Sequence, residues 1–251
     1  MTGDAVAPFR SAGLTDPGAR RAHNEDSFVD RPDAALWAVA DGAGGHHAGE
    51  VASGMIRDAL AAVPGDLPDG RVLEEVQASL ARVHAALREA GSRQGSGMIA
   101  STVVVLVIRG GHFACLWSGD SRLYRLRDGA LRQVTRDHSL VQDLVDAGMV
   151  HPDEAERHPR ANVITRAIGA GDDGAELDRT SDRVLPGDRF LLCSDGLTKS
   201  LPTEAIAALL AVPDVTQAPG LLVAAALDRQ ASDNVTAVAI EAVPETEPAA
   251  G

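Results

Sequence analysis

Apolar runs that meet an aspartate set the terms for this chain. Asp41 follows Leu36-Trp37-Ala38-Val39-Ala40, Asp120 follows the run 113–119, Asp195 follows 190–194, and Asp233 precedes 235–240. Strands that bury apolar side chains on a sheet rarely end by chance in the same hard, anionic oxygen ligand. Hard divalent cations such as Mg²⁺ and Mn²⁺ want such carboxylates, so the pattern points to a metal site.

The rest of the chain supplies separate runs of helix and strand. Val51, Met55, Ile56 and Leu60 predict a helix over 48–63 that ends at Pro64-Gly65, and Leu73, Val76, Leu80, Val83 and Leu87 predict another over 72–90. Between 101 and 134 the character becomes β-branched. Runs at 102–108, 112–117, 123–126 and 131–134, punctuated by Arg109-Gly110-Gly111 and the hairpin dipeptide Asp128-Gly129, read as one antiparallel meander. Residues 137–166 return to short helical pieces, 140–147 and 152–157, followed by the polar His158-Pro159-Arg160-Ala161-Asn162, an insertion that could cover a site. Strands over 176–184 and 189–194, helices over 203–211 and 218–229, and a last strand over 234–242 complete the order. Segregated strands and helices with antiparallel turns argue for α+β layering and against a βαβ arrangement.

With 251 residues, 45% hydrophobic and 24% charged, the chain fits one domain, taken as residues 11–242 behind an N-terminal segment 1–10. Residues 243–251 read as a disordered acidic tail. A net charge of -13 repels polyphosphate backbones and anionic membranes, which argues against nucleic-acid binding as the main task. No basic patch followed by an apolar stretch marks the first nine residues. The longest apolar runs, 103–108 and 221–227, fall far short of the ~20 residues of a membrane helix, so a soluble cytoplasmic protein is expected. Cys115 and Cys193 lie inside apolar strand runs and read as reduced, buried small hydrophobes.

Each aspartate sits in a distinctive word. Arg21-Ala22-His23-Asn24-Glu25-Asp26 offers an arginine able to clamp a phosphate and carboxylates able to hold waters on a metal, although alone it reads equally as a charged loop or strand end. In Asp41-Gly42-Ala43-Gly44-Gly45-His46, Gly42 allows close backbone approach, so its carbonyl can serve beside the Asp41 carboxylate. A phosphate-binding loop fails, because no Gly-Lys-Ser/Thr follows. His46 and His47 lie where a helix begins and suit a surface or capping role as well as a catalytic one. Gly119-Asp120-Ser121-Arg122, Cys193-Ser194-Asp195-Gly196-Leu197 and Ser232-Asp233-Asn234-Val235-Thr236 would each pass singly as turns. Jointly they form the inventory of a two-metal hydrolytic centre.

Arg-x-x-Asn-Glu-Asp, Asp-Gly-x-Gly-Gly-His, Gly-Asp-Ser-Arg, Ser-Asp-Gly-Leu and Asp-Asn-Val-Thr, in this order over residues 11–241, resemble the metal-dependent serine/threonine protein phosphatases of the PPM (type 2C) family in its compact bacterial form. The resemblance implies a four-layer αββα sandwich of two antiparallel β-sheets flanked by helices. It implies two Mn²⁺ or Mg²⁺ ions, bridged by Asp41, with Asp195 and Asp233 completing the first and the Gly42 carbonyl binding the second. Glu25 and Asp26 would act through metal-bound waters, Arg21 would bind the substrate phosphate, and Asp120 would help hold a third, weaker ion. Residues 137–166 resemble the family's mobile flap, with Asn162 near the position that approaches the third ion. The implied chemistry is direct attack of a metal-bridging hydroxide on phosphoserine or phosphothreonine, with no phosphoenzyme.

Implied partners are phosphorylated proteins and an opposing bacterial serine/threonine kinase, in some compact relatives the kinase that controls type VI secretion. A monomer is expected. Cysteine-dependent phosphatase chemistry is excluded, because the arginine place after Cys115 is Ser121 and after Cys193 is Lys199. Ala43 stands where many bacterial relatives have Met and animal ones a proposed general-acid His, which leaves the general acid unassigned or supplied by a metal-bound water. Ala100-Ser101-Thr102 replaces the usual Gly-Thr-Thr, a change that bears on packing. The alternative is a catalytically silent phosphopeptide-binding module of the same fold, which should have lost metal aspartates. Another two-metal enzyme, such as a phosphodiesterase, would recruit His ligands at recognisable spacing, and the His residues here are scattered.

Overall fold

A computed structural model describes residues 9–44, 47–94, 98–171 and 174–243. The expected N-terminal segment, apart from Phe9 and Arg10, lies outside the described residues, as do His46 and all of the tail after residue 243. Two antiparallel sheets form the middle of the molecule. One orders its strands β1 (Phe9–Asp16), β11 (Val235–Ala242), β10 (Arg189–Cys193), β7 (Arg122–Arg127) and β8 (Ala130–Gln133). The other runs β2 (Asp26–Arg31), β3 (Leu36–Ala43), β5 (Val103–Arg109), β6 (His112–Ser118) and β9 (Asp178–Arg183), with the short β4 (Ala100–Ser101) on β3.

The period-two alternation of the strands builds the layers. Trp37 and Val39 of β3, Val104 and Leu106 of β5, Phe190 and Leu192 of β10, and Val238 and Ile240 of β11 meet between the sheets. Their neighbours Leu36, Ala38, Val103 and Val105 face outward onto α1 (Ala48–Ala61) and α2 (Asp69–Gln94). Leu191, Cys193, Ala237 and Ala239 face the opposite way, onto α4 (Asp195–Ser200), α5 (Thr203–Leu210) and α6 (Ala218–Asp228). Helices outside and sheets inside give the αββα order. Among the described residues no helix is long and apolar enough to cross a membrane.

Three expectations need correction. The supposed meander is two hairpins in different sheets: β5 and β6 pair in one, β7 and β8 in the other. The chain crosses between them at Gly119-Asp120-Ser121, where Gly119 takes φ +113 and an added Cβ would lie 2.6 Å from Thr102. Local alternation cannot say which sheet a hairpin joins. Second, β3 does not stop at Ala40 but runs on through Asp41 to Ala43, and Asp41 stands opposite Asp26 in the ladder. Third, Phe9 and Arg10, placed outside the domain, pair with Ala242 and Glu241 as the first residues of β1. The insertion at 137–166 contains α3 (Leu140–Asp146) and a 3-10 helix (Pro152–Arg157), and its ends are tied by a bridge between Ser139 and Ile164.

Phe190 is fully buried and stands edge-on to Phe113 at 5.3 Å between ring centres. Phe190→Ala is expected to lower unfolding free energy by about 3–5 kcal/mol in urea titration, the range for aromatic truncation in a core. Val51→Ala, at a side chain 54% exposed on α1, should change it by less than about 0.5 kcal/mol.

Candidate metal centre

The strand ladder carries the acidic groups to one end of the sandwich. Thr102 donates its N–H to the Asp41 carbonyl at 2.8 Å, and Gly42 donates its own to Glu25 O at 3.1 Å, so Asp41 and Gly42 are held by backbone on both sides. Gly42 is obligatory for a packing reason: a Cβ there would lie 2.0 Å from the Gly49 carbonyl oxygen, because the first turn of α1 rests on the strand. Asp120 occupies the crossing between the sheets, Asp195 opens α4 directly after Ser194, and Asp233 immediately precedes Asn234 and β11. Arg21 and Glu25 come from the loop joining β1 to β2.

These groups converge on a cavity of about 340 Å³. Arg21, Glu25, Asp41, Gly42, Asp120, Asn162, Asp195 and Asp233 all line it, as do Ala43, Gly44, Thr102, Ile164, Lys199 and Asn234. Asp26 is the one expected site residue that does not. It is buried, and its Oδ2 accepts hydrogen bonds from Ser194 Oγ at 2.7 Å and Thr236 Oγ1 at 2.6 Å. Asp26 thereby ties β2 of one sheet to β11 and the end of β10 in the other.

Crowded, desolvated carboxylates resist ionisation. Burial, opposed by the Thr236 and Ser194 hydroxyls and reinforced by the charges of Asp195 and Asp233, lifts the Asp26 carboxyl to about 7. Burial and then the Asp26, Asp195, Asp120 and Asp233 charges raise Asp41 well above the ordinary carboxylate range. Burial, with Asp195 and Asp137 adding and Lys199 opposing, brings Asp120 to about 7. Two buried oxygens in this group, Asp26 Oδ1 and Asp195 Oδ1, have no hydrogen-bond partner. Excess negative charge and unpartnered anionic oxygens fit a divalent cation of the Mg²⁺ or Mn²⁺ type. Among the described residues no group of three His, Cys, Asp or Glu side chains is placed to hold a metal ion by itself, so an ion here would need water or carbonyl ligands beside the carboxylates.

Several contributors carry no role in the sequence reading. Asn234 organises the loop behind Arg21: its Oδ1 accepts from Glu25 N, and its Nδ2 donates to Pro17 O and His23 O, all at 2.9 Å. Lys199, four residues after Asp195 on α4, bonds Asp195 Oδ2. That spacing is a legible helical signal, whereas the Asn234 contacts join residues more than two hundred positions apart. Arg21 donates to Asp233 Oδ2 at 3.0 Å. His47 occupies the N-cap of α1 but makes no side-chain capping bond, and its ring meets His23 edge-on at 4.4 Å. Both cysteines are free and buried, as expected, and burial raises the Cys193 thiol to about 12.

A model of the family described as protein phosphatase 2C matches residues 19–218. The serine/threonine protein phosphatase PstP of Mycobacterium tuberculosis is 38% identical over 239 residues, 94% of this chain and 45% of that protein. The chain thus spans about half the length of that relative. The serine/threonine phosphatase stp of Listeria monocytogenes is 32% identical over 236 residues, 90% of this chain and 93% of that one. Among solved structures, PppA, a key regulatory component of T6SS in Pseudomonas aeruginosa, superposes with a TM-score of 0.86 at 41% identity, covering 93% of this chain and 97% of its own. The catalytic domain of PstP in complex with two manganese ions has a TM-score of 0.85 at 36% identity, covering 94% of this chain and 99% of its own.

The raised carboxyls predict an unusual pH profile for metal-free protein. Asp26 and Asp120 keep their protons to about pH 7 when folded, but ionise near 4 when unfolded. The unfolded chain therefore binds fewer protons in that window, and stability falls as pH rises from about 4 to about 7. Scanning fluorimetry in EDTA should show the melting temperature falling across it, and Ser194→Ala, which removes a donor to the ionised Asp26, should extend the fall upward. Saturating Mn²⁺ should abolish the fall, since an ion binds the deprotonated carboxylates. A flat EDTA profile would contradict this account of the cluster.

Proposed function

The chain belongs to the protein phosphatase 2C family, and on that premise we propose that it hydrolyses phosphoserine and phosphothreonine in proteins at a centre of two Mn²⁺ or Mg²⁺ ions. The observation that carries the proposal is the convergence of Asp41, Asp195 and Asp233 with Arg21 on one polar cavity, where Asp195 Oδ1 is buried and unpartnered. The three carboxylates and the Gly42 carbonyl would hold the ions, with Glu25 and Asp26 behind them. When bound, the ions supply a nucleophilic water and neutralise phosphoryl charge.

Arg21 is half exposed and reaches the cavity from a loop anchored by Asn234. A guanidinium offers parallel donors matched to phosphate oxygens, so its part is to orient the phosphoryl group. Among the described residues that line the cavity there is no Cys, Ser or His. The one hydroxyl side chain there, Thr102, is engaged with Asp41 N at 3.1 Å and Ser121 Oγ at 2.7 Å. With the aspartates committed to holding the ions, this supports direct attack by water over a phosphoenzyme. Ala43 brings no proton donor, so the proton for the leaving serine or threonine oxygen comes from elsewhere in the cavity, water included. Asn162 and Ile164 form the wall contributed by the 137–166 flap.

We place the substrates among the products of an opposing bacterial serine/threonine kinase. The likeness to PppA, a regulatory component of T6SS, supports type VI secretion as one candidate setting. A phosphothreonine peptide should release phosphate only with Mn²⁺ or Mg²⁺ and not in EDTA. Asp195→Ala should lower turnover by about a hundredfold or more, at least the loss seen when outer-shell supports of a metal are removed. Arg21→Ala should act mainly through KM. A folded wild type that binds the peptide without metal-dependent release would favour a phosphopeptide-binding module.

A further inference from the structure

Asp120 and Asp195 face the same cavity, and after burial the Asp195 charge is the largest influence raising Asp120. When both are ionised, two carboxylates so placed call for positive charge beside them, and a divalent ion is one source. In this chain a side chain already supplies it. Lys199 lies one helical turn beyond Asp195 on α4, and its ammonium bonds Asp195 Oδ2. The side chain is 37% exposed, lines the cavity, and stands close enough for the charges of Asp120 and Asp233 to act on it as well. An ammonium is a compact point charge with three donors, able to serve more than one carboxylate.

We infer that Lys199 is the resident third cation of this centre: it occupies the place beside Asp120 and Asp195 that a third divalent ion would take, so the cavity accepts two ions and not three. Lys199 engages only Oδ2 of Asp195. The other oxygen, Oδ1, is buried and unpartnered and remains available to the main pair of ions. Lys199 therefore excludes a third ion without blocking the first two. An ordinary helix-surface ion pair would lie outside the cavity and leave ion stoichiometry untouched. The inference rests on the reading of the aspartates as ligands of two metals.

The test is a count of bound Mn²⁺ on EDTA-stripped protein by equilibrium dialysis, with affinities from calorimetry and folding checked by circular dichroism. Wild type should bind about two ions per chain. Lys199→Met and Lys199→Gln should each gain one further, weaker ion, and adding Asp120→Asn should remove that gain. Lys199→Arg, which keeps the charge, should keep the wild-type count. The inference is overturned if wild type already binds a third ion that Asp120→Asn abolishes, or if the folded Met and Gln variants bind only as many ions as wild type. A wild type that binds no Mn²⁺ would instead overturn the metal reading of the aspartates, and with it this one.

Discussion

Buried negative charge, gathered where two sheets meet, is the constraint on which the rest of this structure depends. Asp26, Asp41, Asp120, Asp195 and Asp233 lie close enough for their charges to act on one another. Such a cluster would disperse in a deformable chain, since like charges out of water repel strongly. Here each carboxylate is fixed by backbone that cannot easily move. Asp41 is inside a ladder, opposite Asp26. Asp195 begins a helix and Asp233 leads into β11, the central partner of β1 and β10. The apolar layer between the sheets, from Trp37 to Ile240, supplies the favourable burial that offsets the electrostatic cost.

Asp26 makes the two sheets one electrostatic unit. Its hydroxyl donors come from the opposite sheet, so a shift of either sheet would strand a buried carboxylate. The cations are distributed with equal economy. Arg21 pairs with Asp233, and Lys199 pairs with Asp195, so the two flexible positive side chains of the cavity each lie on a carboxylate. The apolar lining is slight, chiefly Ala43 and Ile164. A cavity of that character recognises a phosphoryl group and offers little grip on the side chain that carries it. Selection among proposed phosphoprotein substrates would then fall to surfaces beyond the cavity, with the 137–166 segment the nearest of them.

Much of the fold was legible because its signals are local. The helical spacing of Val76, Leu80, Val83 and Leu87 recurs in α2, and the alternation of Val103 to Ile108 recurs in β5, with odd members facing helices and even members facing the other sheet. The end of β3 was misread because Asp41-Gly42-Ala43 lacks the apolar character of a strand, while its backbone partners lie at Glu25 and Thr102. The hairpin β7–β8 was assigned to the wrong companion strands because its residues alternate alike in either sheet. Among the site residues, the aspartates were marked by their words, whereas Ser194, Thr236 and Asn234 looked like turn and strand filler.

By itself the sequence determined most of the helices and strands, though not β1, β2, β4 or α4, together with the acidic words at their junctions and the excess of negative charge. Those properties depend on residue identity and on spacing within a turn or a strand. Tertiary structure alone decided which hairpin joins which sheet, that Asp26 is held across the interface by residues 168 and 210 positions away, and that Lys199 and Asp120 line one cavity. The physical reason is that these are contacts across the sandwich. They exist only after the sheets have packed, and no local periodicity encodes them.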